Sequence, residues 1–341
     1  TIPNEAYLWV DEIEIYKADQ KFDASVARVS DAEDPERFDG INGFIVARKD
    51  DGQRIVAGAE LRGFYYFFKE RSVHATYDDG ANAASLWPVH LISEVAGAAS
   101  PNAVAAGESF IITAARAGAY LIVAGRATKL SKEIEPTWER INWTAAHTIH
   151  TLLDAENNRV HFFVPLDANT APLHALVLDY TEGFGADEDP GGRKWSIDSF
   201  PAAIRASLRY ENATGGRDLY LGGTKVYKHT GTSDDGTAIN SYYETAYLKA
   251  GKSGQDLFGG VALNVAGAGT LTASLRGLND VPTEDLPNQV LATAPSKDNE
   301  MYANLESEKA RLRMGTNAVG AYFQLKRVCI YAQPWAAIRA L

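Results

Sequence analysis

The chain has 341 residues, 45% of them hydrophobic, and a formal charge of −11 from 44 acidic and 33 Lys and Arg side chains. That is enough apolar material for two cored domains of ~100–200 residues each. The acidic balance, without a Lys/Arg cluster, excludes a duplex DNA or RNA binder. One cysteine, Cys329, excludes an intramolecular disulfide framework and a four-thiolate zinc site, and its apolar setting Val328-Cys329-Ile330-Tyr331 marks it as a small buried hydrophobe.

Twenty-nine glycines and 35 aromatic residues (13 Phe, 16 Tyr, 6 Trp) favour strands and tight turns. No apolar stretch approaches the ~18–20 residues that a membrane-spanning helix needs. The start Thr1-Ile2-Pro3 lacks both an initiator Met and a signal-peptide pattern. The expectation is a numbering that begins inside a longer or processed chain.

Period-2 apolar runs bounded by turn residues give a unit that recurs four times. The first copy pairs 43–47 with 54–57 across Asp50-Asp51-Gly52, then adds strands over 63–68 and 72–77. The second pairs 109–113 with 119–123 near Gly118 and adds a strand through 128–134. In the third, 148–153 pairs with 159–164 across Asn157-Asn158, and 174–180 closes the unit. The fourth pairs 206–210 with 218–221, followed by 225–229.

A lone small sheet cannot bury both faces, whereas stacked sheets cover one another and protect their edges. The copies therefore predict β-propeller-like repeats over 1–231, with a β-sandwich as the rival arrangement.

The polar turn Thr232-Ser233-Asp234-Asp235-Gly236-Thr237 marks a boundary. Beyond it, strands are predicted over 242–248, 260–265, 270–275, 309–314 and 321–331, with 260–265 and 270–275 as a hairpin across Ala266-Gly267-Ala268-Gly269. They give an antiparallel, jelly-roll-like sandwich over 232–341. Residues 282–299 read as a loop. The fold class is all-β.

No phosphate-binding glycine loop, nucleophile elbow or zinc-protease motif is present, so no catalytic, cofactor-binding or metal-ligating residue is assigned and no cofactor is expected. His147 and His150, read as strand residues at odd spacing, face opposite ways and do not share a metal. The carboxylates Asp31, Glu33, Asp34, Glu36 and Asp39, and the run Asp187-Glu188-Asp189, raise glycosidase or calcium roles. Solvated acidic loops explain them better. Trp138, Trp143 and Trp195 could stack on sugars, but Trp in β-proteins more often wedges between sheets. Ser233-Asp234-Asp235-Gly236 approaches the Asp-box turn of sialidases and lacks its tryptophan.

The phrases Gly63 to Val73, Trp87-Pro88, Ala103-Val104 to Ile112, Ala119 to Ile122, and Ile134 with Trp138 and Ile141-Asn142 form one series. Asn158 to Pro165, Leu178-Asp179-Tyr180 and Tyr322 to Pro334 continue it. Together they resemble the β-propeller proteins of tailed-bacteriophage virions, a family of tail nozzle, tail hub and packaged-DNA stabilisation proteins.

The resemblance implies a non-enzymatic structural component of a virion tail or neck. It would self-assemble as a sixfold homo-oligomeric ring around the DNA channel, touching portal, adaptor and tail fibres, with packaged DNA as passing cargo and no membrane insertion. A complete ring of six or more blades would need more chain than precedes Thr230. Two other classes compete: a glycan- or receptor-binding tail module, and a propeller glycosidase.

Overall fold

The computed structural model describes residues 24–30, 36, 43–49, 51–80, 83–185, 193–211, 217–230, 233–234, 236–251, 254–293 and 299–334. The chain is all-β and divides into two compact units, Thr1–His229 and Thr230–Leu341, against an expected boundary after residue 231. Each is described by itself.

The first unit holds a two-stranded sheet, β1 (Val26–Arg28) with β2 (Phe44–Val46), and then four consecutive antiparallel meanders. The first meander is β3 (Ile55–Leu61), β4 (Phe64–Lys69), β5 (Val73–Tyr77) and β6 (Val89–Ser93). The second is β7 (Val104–Ala106), β8 (Ile111–Ala115), β9 (Gly118–Val123) and β10 (Arg126–Lys129). The third is β11 (His150–Asp154), β12 (Arg159–Val164), β13 (His174–Asp179) and β14 (Lys194–Ser199). The fourth has three strands, β15 (Ala206–Glu211), β16 (Arg217–Gly222) and β17 (Val226–Lys228).

The meanders are blades stacked face to face, because alternate side chains of each strand serve alternate neighbours. Tyr66, Phe68, Val73 and Ala75 of the first blade pack on Ile111, Ala115, Tyr120 and Ile122 of the second. The other face of the second blade, with Ile112, Ala114, Ala119 and Leu121, packs on Val160, Phe162, Val164, Leu176 and Leu178 of the third. The third blade then turns Phe163, Ala175 and Val177 toward Leu219 and Leu221 of the fourth. Strands covered on both faces read as continuous apolar runs, which is why Arg159–Val164 lacks clean alternation. This is the β-propeller-like architecture expected from the repeats.

Turn chemistry sets the registers. Arg62 and Gly63 both take positive φ (54° and 81°) between the paired Leu61 and Phe64, as a two-residue hairpin turn matched to strand twist requires. Across β11 and β12 the Asp154 carboxylate accepts from the Asn157 side-chain amide at 2.8 Å. The second and third blades are stapled by Arg193, whose buried guanidinium donates to the Phe184, Lys129 and Leu130 carbonyls and to Glu133.

Two expectations in this unit are corrected. Residues 43–47 do not form a hairpin with 54–57: β2 pairs with β1, and β3 pairs with β4. The intervening chain bends around the Lys69 ammonium, which is fully buried and donates to the Arg48 carbonyl (2.8 Å), Ser25 Oγ (3.0 Å) and both Asp51 carboxylate oxygens (2.8 and 2.9 Å). A tight hairpin turn could not bring those groups to one point. The strand expected through 128–134 ends at Lys129, and 131–134 is a turn of 3-10 helix leading into the helical turn Glu135–Trp138.

The second unit begins with the small pair β18 (Ser233–Asp234) and β19 (Thr237–Ala238). Seven strands follow: β20 (Ser241–Glu244), β21 (Asp256–Ala268), β22 (Thr270–Gly277), β23 (Thr283–Val290), β24 (Asn299–Ser307), β25 (Ala310–Thr316) and β26 (Tyr322–Pro334). They form two sheets, β20-β25-β22-β23 and β24-β21-β26. Phe258, Val261 and Leu263 from one meet Leu271, Leu275, Leu312 and Met314 from the other in a common core. The unit is a β-sandwich.

The 260–265 and 270–275 pair is not a hairpin. β21 and β22 lie in different sheets, and the chain crosses between them at Gly269, where φ is +94° and a Cβ would come within 2.7 Å of that of Ala321. Nor is 282–299 a loop, since β23 fills much of it. β23 is a sheet edge with mostly exposed side chains, so it shows no apolar periodicity, and an edge tolerates Pro287. Cys329 is half-buried on β26. Among the described residues no helix is long and apolar enough to cross a membrane.

Candidate functional site

The acidic clusters, histidines and tryptophans singled out in the sequence do not assemble into one site. Glu36 is exposed; Asp31, Glu33, Asp34, Asp39 and the run Asp187-Glu188-Asp189 lie outside the described residues, as do Asp50, Asp235 and the side chains of Ser233 and Asp234. His147 is exposed in a 3-10 segment, Trp143–Thr148, and His150 is buried at the head of β11, its ring stacked on Phe163 at 4.5 Å. His147 precedes the strand, so strand alternation does not govern this pair. The three tryptophans wedge between blades: Trp138 is buried and donates Nε1–H to the Ala115 carbonyl at 3.1 Å, Trp143 packs beside it, and Trp195 lies over Phe162 at 5.8 Å.

A cavity of about 240 Å³ instead opens at the seam between the third and fourth blades, lined by side chains including Arg159, His161, Asp179, Lys194, Asp198 and His229. Strand register puts them together. Arg159 opposes Asp179 and Asp179 opposes Lys194; His161 opposes Val177, which opposes Ser196, and Ala175 opposes Asp198. All of these stand on the face that the third blade turns to the fourth. His229, which follows β17, closes the seam with its ring 5.6 Å from that of His161, edge to face.

The two carboxyls have opposite environments. Burial pushes Asp198 above the usual carboxylate range, opposed in part by His229 and Arg159. Burial also pushes Asp179 up, but hydrogen bonds from Thr181 and the charge and hydrogen bond of Arg159 outweigh it and hold Asp179 below that range. Asp179 Oδ1 accepts from the Thr181 backbone N–H at 3.0 Å, and Arg159 Nε lies 3.6 Å from its Oδ2. Lys194 is engaged by Glu182 at 2.8 Å.

The four-residue offset across β13 and β14 places the two aspartate main chains ~14 Å apart, at ~3.3 Å per residue and ~4.8 Å between strands. Two C–C bonds of reach on each side bring the carboxyls no closer than ~9 Å.

His161 is 3% exposed, and its Nε2 has no hydrogen-bond partner among the described residues. Its pKa is pushed down to about 4, chiefly by burial and then by the neighbouring His229, with Asp154 opposing and Arg159 adding to the fall. The unfolded chain takes up this proton near pH 6.5 and the folded chain only near 4, so the unfolded state binds more protons between those values. Stability is therefore expected to fall as pH drops from about 6.5 toward about 4. His150 and His174, also lowered by burial, act in the same direction. Urea unfolding across this window should show a shallower pH slope for His161→Phe; an unchanged slope would place the ring in solvent.

Trp195, singled out in the sequence, borders this cavity, and sequence reasoning missed its other members because they come from four segments of two blades. One signal was present: His161 is a polar residue in an apolar strand covered on both sides.

No protein-family model and no curated protein matches the sequence. Solved structures do match. An arabinoxylan arabinofuranohydrolase of glycoside hydrolase family 43 from Bacillus subtilis, solved with cellotetraose, shares 9% identity over 82% of this chain and 95% of its own, at a TM-score of 0.25. An exo-β-1,3-galactanase from Phanerochaete chrysosporium matches at 10% identity over 91% of this chain and 100% of its own (TM-score 0.20) in a variant with β-1,3-galactotriose. With galactose it matches at 10% over 89% and 99% (TM-score 0.18). At these TM-scores no residue of those enzymes is mapped onto this chain.

These neighbours are glycoside hydrolases, and the expectation of a non-enzymatic phage tail or neck component, ringed around a DNA channel, is corrected accordingly. The phrases behind that resemblance are the apolar runs that any stack of antiparallel blades requires, so they report architecture and not activity.

Proposed function

We propose that the chain is a carbohydrate-active β-propeller protein that hydrolyses glycosidic bonds in the cavity between the third and fourth blades. The observation that supports this reading is the presence in one cavity of two carboxyls with opposed environments, Asp198 raised and Asp179 lowered. Glycosidic hydrolysis needs a carboxylic acid to protonate the leaving oxygen and a carboxylate to act on the other side of the sugar ring.

In this reading Asp198 donates the proton and Asp179 accepts one from the attacking water. A floor of ~9 Å excludes the ~5–5.5 Å of retaining enzymes, and the ~6.5–9.5 Å of inverting ones is reached when the two side chains lean toward each other along the strands, which leaves room for that water. The roles follow from environment, since the carboxyl biased toward holding its proton, Asp198, is the better donor and the one biased toward ionisation, Asp179, can accept.

The test is incubation with arabinoxylan, β-1,3-galactan and oligosaccharides derived from them, following new reducing ends and their anomeric configuration by NMR. The expected product carries the inverted anomer. Retention of configuration would overturn the pairing of Asp198 with Asp179, and binding without turnover would leave a glycan-binding module. Neither binding nor turnover of any glycan would overturn the carbohydrate reading.

A further inference from the structure

The charges around the cavity are already matched within the protein. Arg159 is held by Asp179 at 3.6 Å and Lys194 by Glu182 at 2.8 Å. The remaining lining carboxyl, Asp198, adds negative charge or a neutral acid, never a cation. An incoming carboxylate or sulfate would have to share these cations with Asp179 or Glu182, both tethered to the chain, while facing Asp198. His229 is the one further group at the rim that can carry positive charge, and it is solvent-exposed, where its field is weakened by water.

Two of the residues that line the cavity hold a buried polar atom that the fold leaves unserved, His161 Nε2 and Trp195 Nε1, and His161 is the one on the face turned to the fourth blade. His161 Nε2 is buried and without a hydrogen-bond partner among the described residues. A buried polar atom in this state destabilises the fold unless something outside it supplies a partner.

Resting on the carbohydrate reading above, we infer that the cavity selects an uncharged sugar ring, which hydrogen-bonds the buried His161 imidazole, and refuses a uronate or sulfated ring of the same size. His161 acts here as a specificity-determining residue. Its neutral ring offers one donor or one acceptor to a hydroxyl, which can play either part.

Isothermal titration of the intact chain with cellotetraose and β-1,3-galactotriose, against tri- and tetragalacturonate, tests this. A neutral oligosaccharide is expected to bind at least tenfold more tightly than the galacturonates. His161→Phe, close in volume and set beside Phe163, should weaken neutral binding about tenfold, and His161→Gln, which restores an amide donor and acceptor, should recover part of it. Galacturonate binding as tight as the neutral sugars, or His161→Phe binding unchanged, would overturn this inference and leave the carbohydrate reading standing. Binding of none of the four by the wild-type chain would remove both.

Discussion

Replacing Lys69 by methionine is expected to lower the unfolding free energy of the first unit by about 3–5 kcal/mol, as removal of one partner from a buried ion pair does. The Lys69 side chain is fully buried and that of Asp51 nearly so, at 0% and 11% exposure. The ammonium also holds the Arg48 carbonyl and Ser25 Oγ, so the variant removes the cationic partner of a carboxylate and a donor from two further polar groups. It also frees the bend that diverts β2 away from β3. Burial alone would raise the Asp51 pKa, but the Lys69 hydrogen bond and charge and the Gln53 backbone N–H hold it below the usual range. Urea unfolding followed by tryptophan fluorescence should show the loss, and the double variant Lys69→Met with Asp51→Leu should recover much of it. A loss under about 1 kcal/mol would mean that the pair behaves as a solvent-exposed one.

Asp198→Asn is expected to reduce glycan hydrolysis about 10²–10⁴-fold, the scale of a lost general acid, with the circular dichroism spectrum unchanged. Asp179→Asn should do the same by removing the base. The two groups also set the pH profile of the wild-type chain. Activity should rise as Asp179 ionises, at a pH below the ordinary carboxylate range, and fall as Asp198 loses its proton above it. The profile should be a bell whose acidic limb disappears in Asp179→Asn. Full activity in Asp198→Asn would remove this residue from the chemistry and the cavity from the mechanism.

The blades were legible in the sequence because apolar runs such as Phe110 to Thr113 and Val160 to Val164 are dictated by burial on both faces, and turn residues such as Gly63 and Asn158 punctuate them. Three features were not legible. Pairing of β2 with β1 depends on a contact between Lys69 and Asp51 that no local pattern encodes. The crossing at Gly269 looks like a hairpin because glycine serves a sheet-to-sheet turn and a tight one equally well. β23 hides as a loop because an exposed edge has no core to impose alternation. The cavity was harder still, since Arg159, Asp179, Asp198 and His229 are unremarkable one by one and gain meaning only through strand register. Acidic runs drew attention by their adjacency, whereas the pair that matters is separated by 18 intervening residues, Tyr180 to Ile197.

Face-to-face stacking has a consequence for cooperativity. A sheet in the middle of a stack is held from two sides, and a terminal one from one side, so resistance to local opening is graded along the chain as in linear repeat arrays. The fourth blade has three strands and rests on the third through Leu219 and Leu221, while Leu208, Tyr210 and Val226 remain exposed. The cavity sits on that seam. A ring lodged in the cavity would act as a clasp on this terminal blade, coupling occupancy of the site to the integrity of the repeat array.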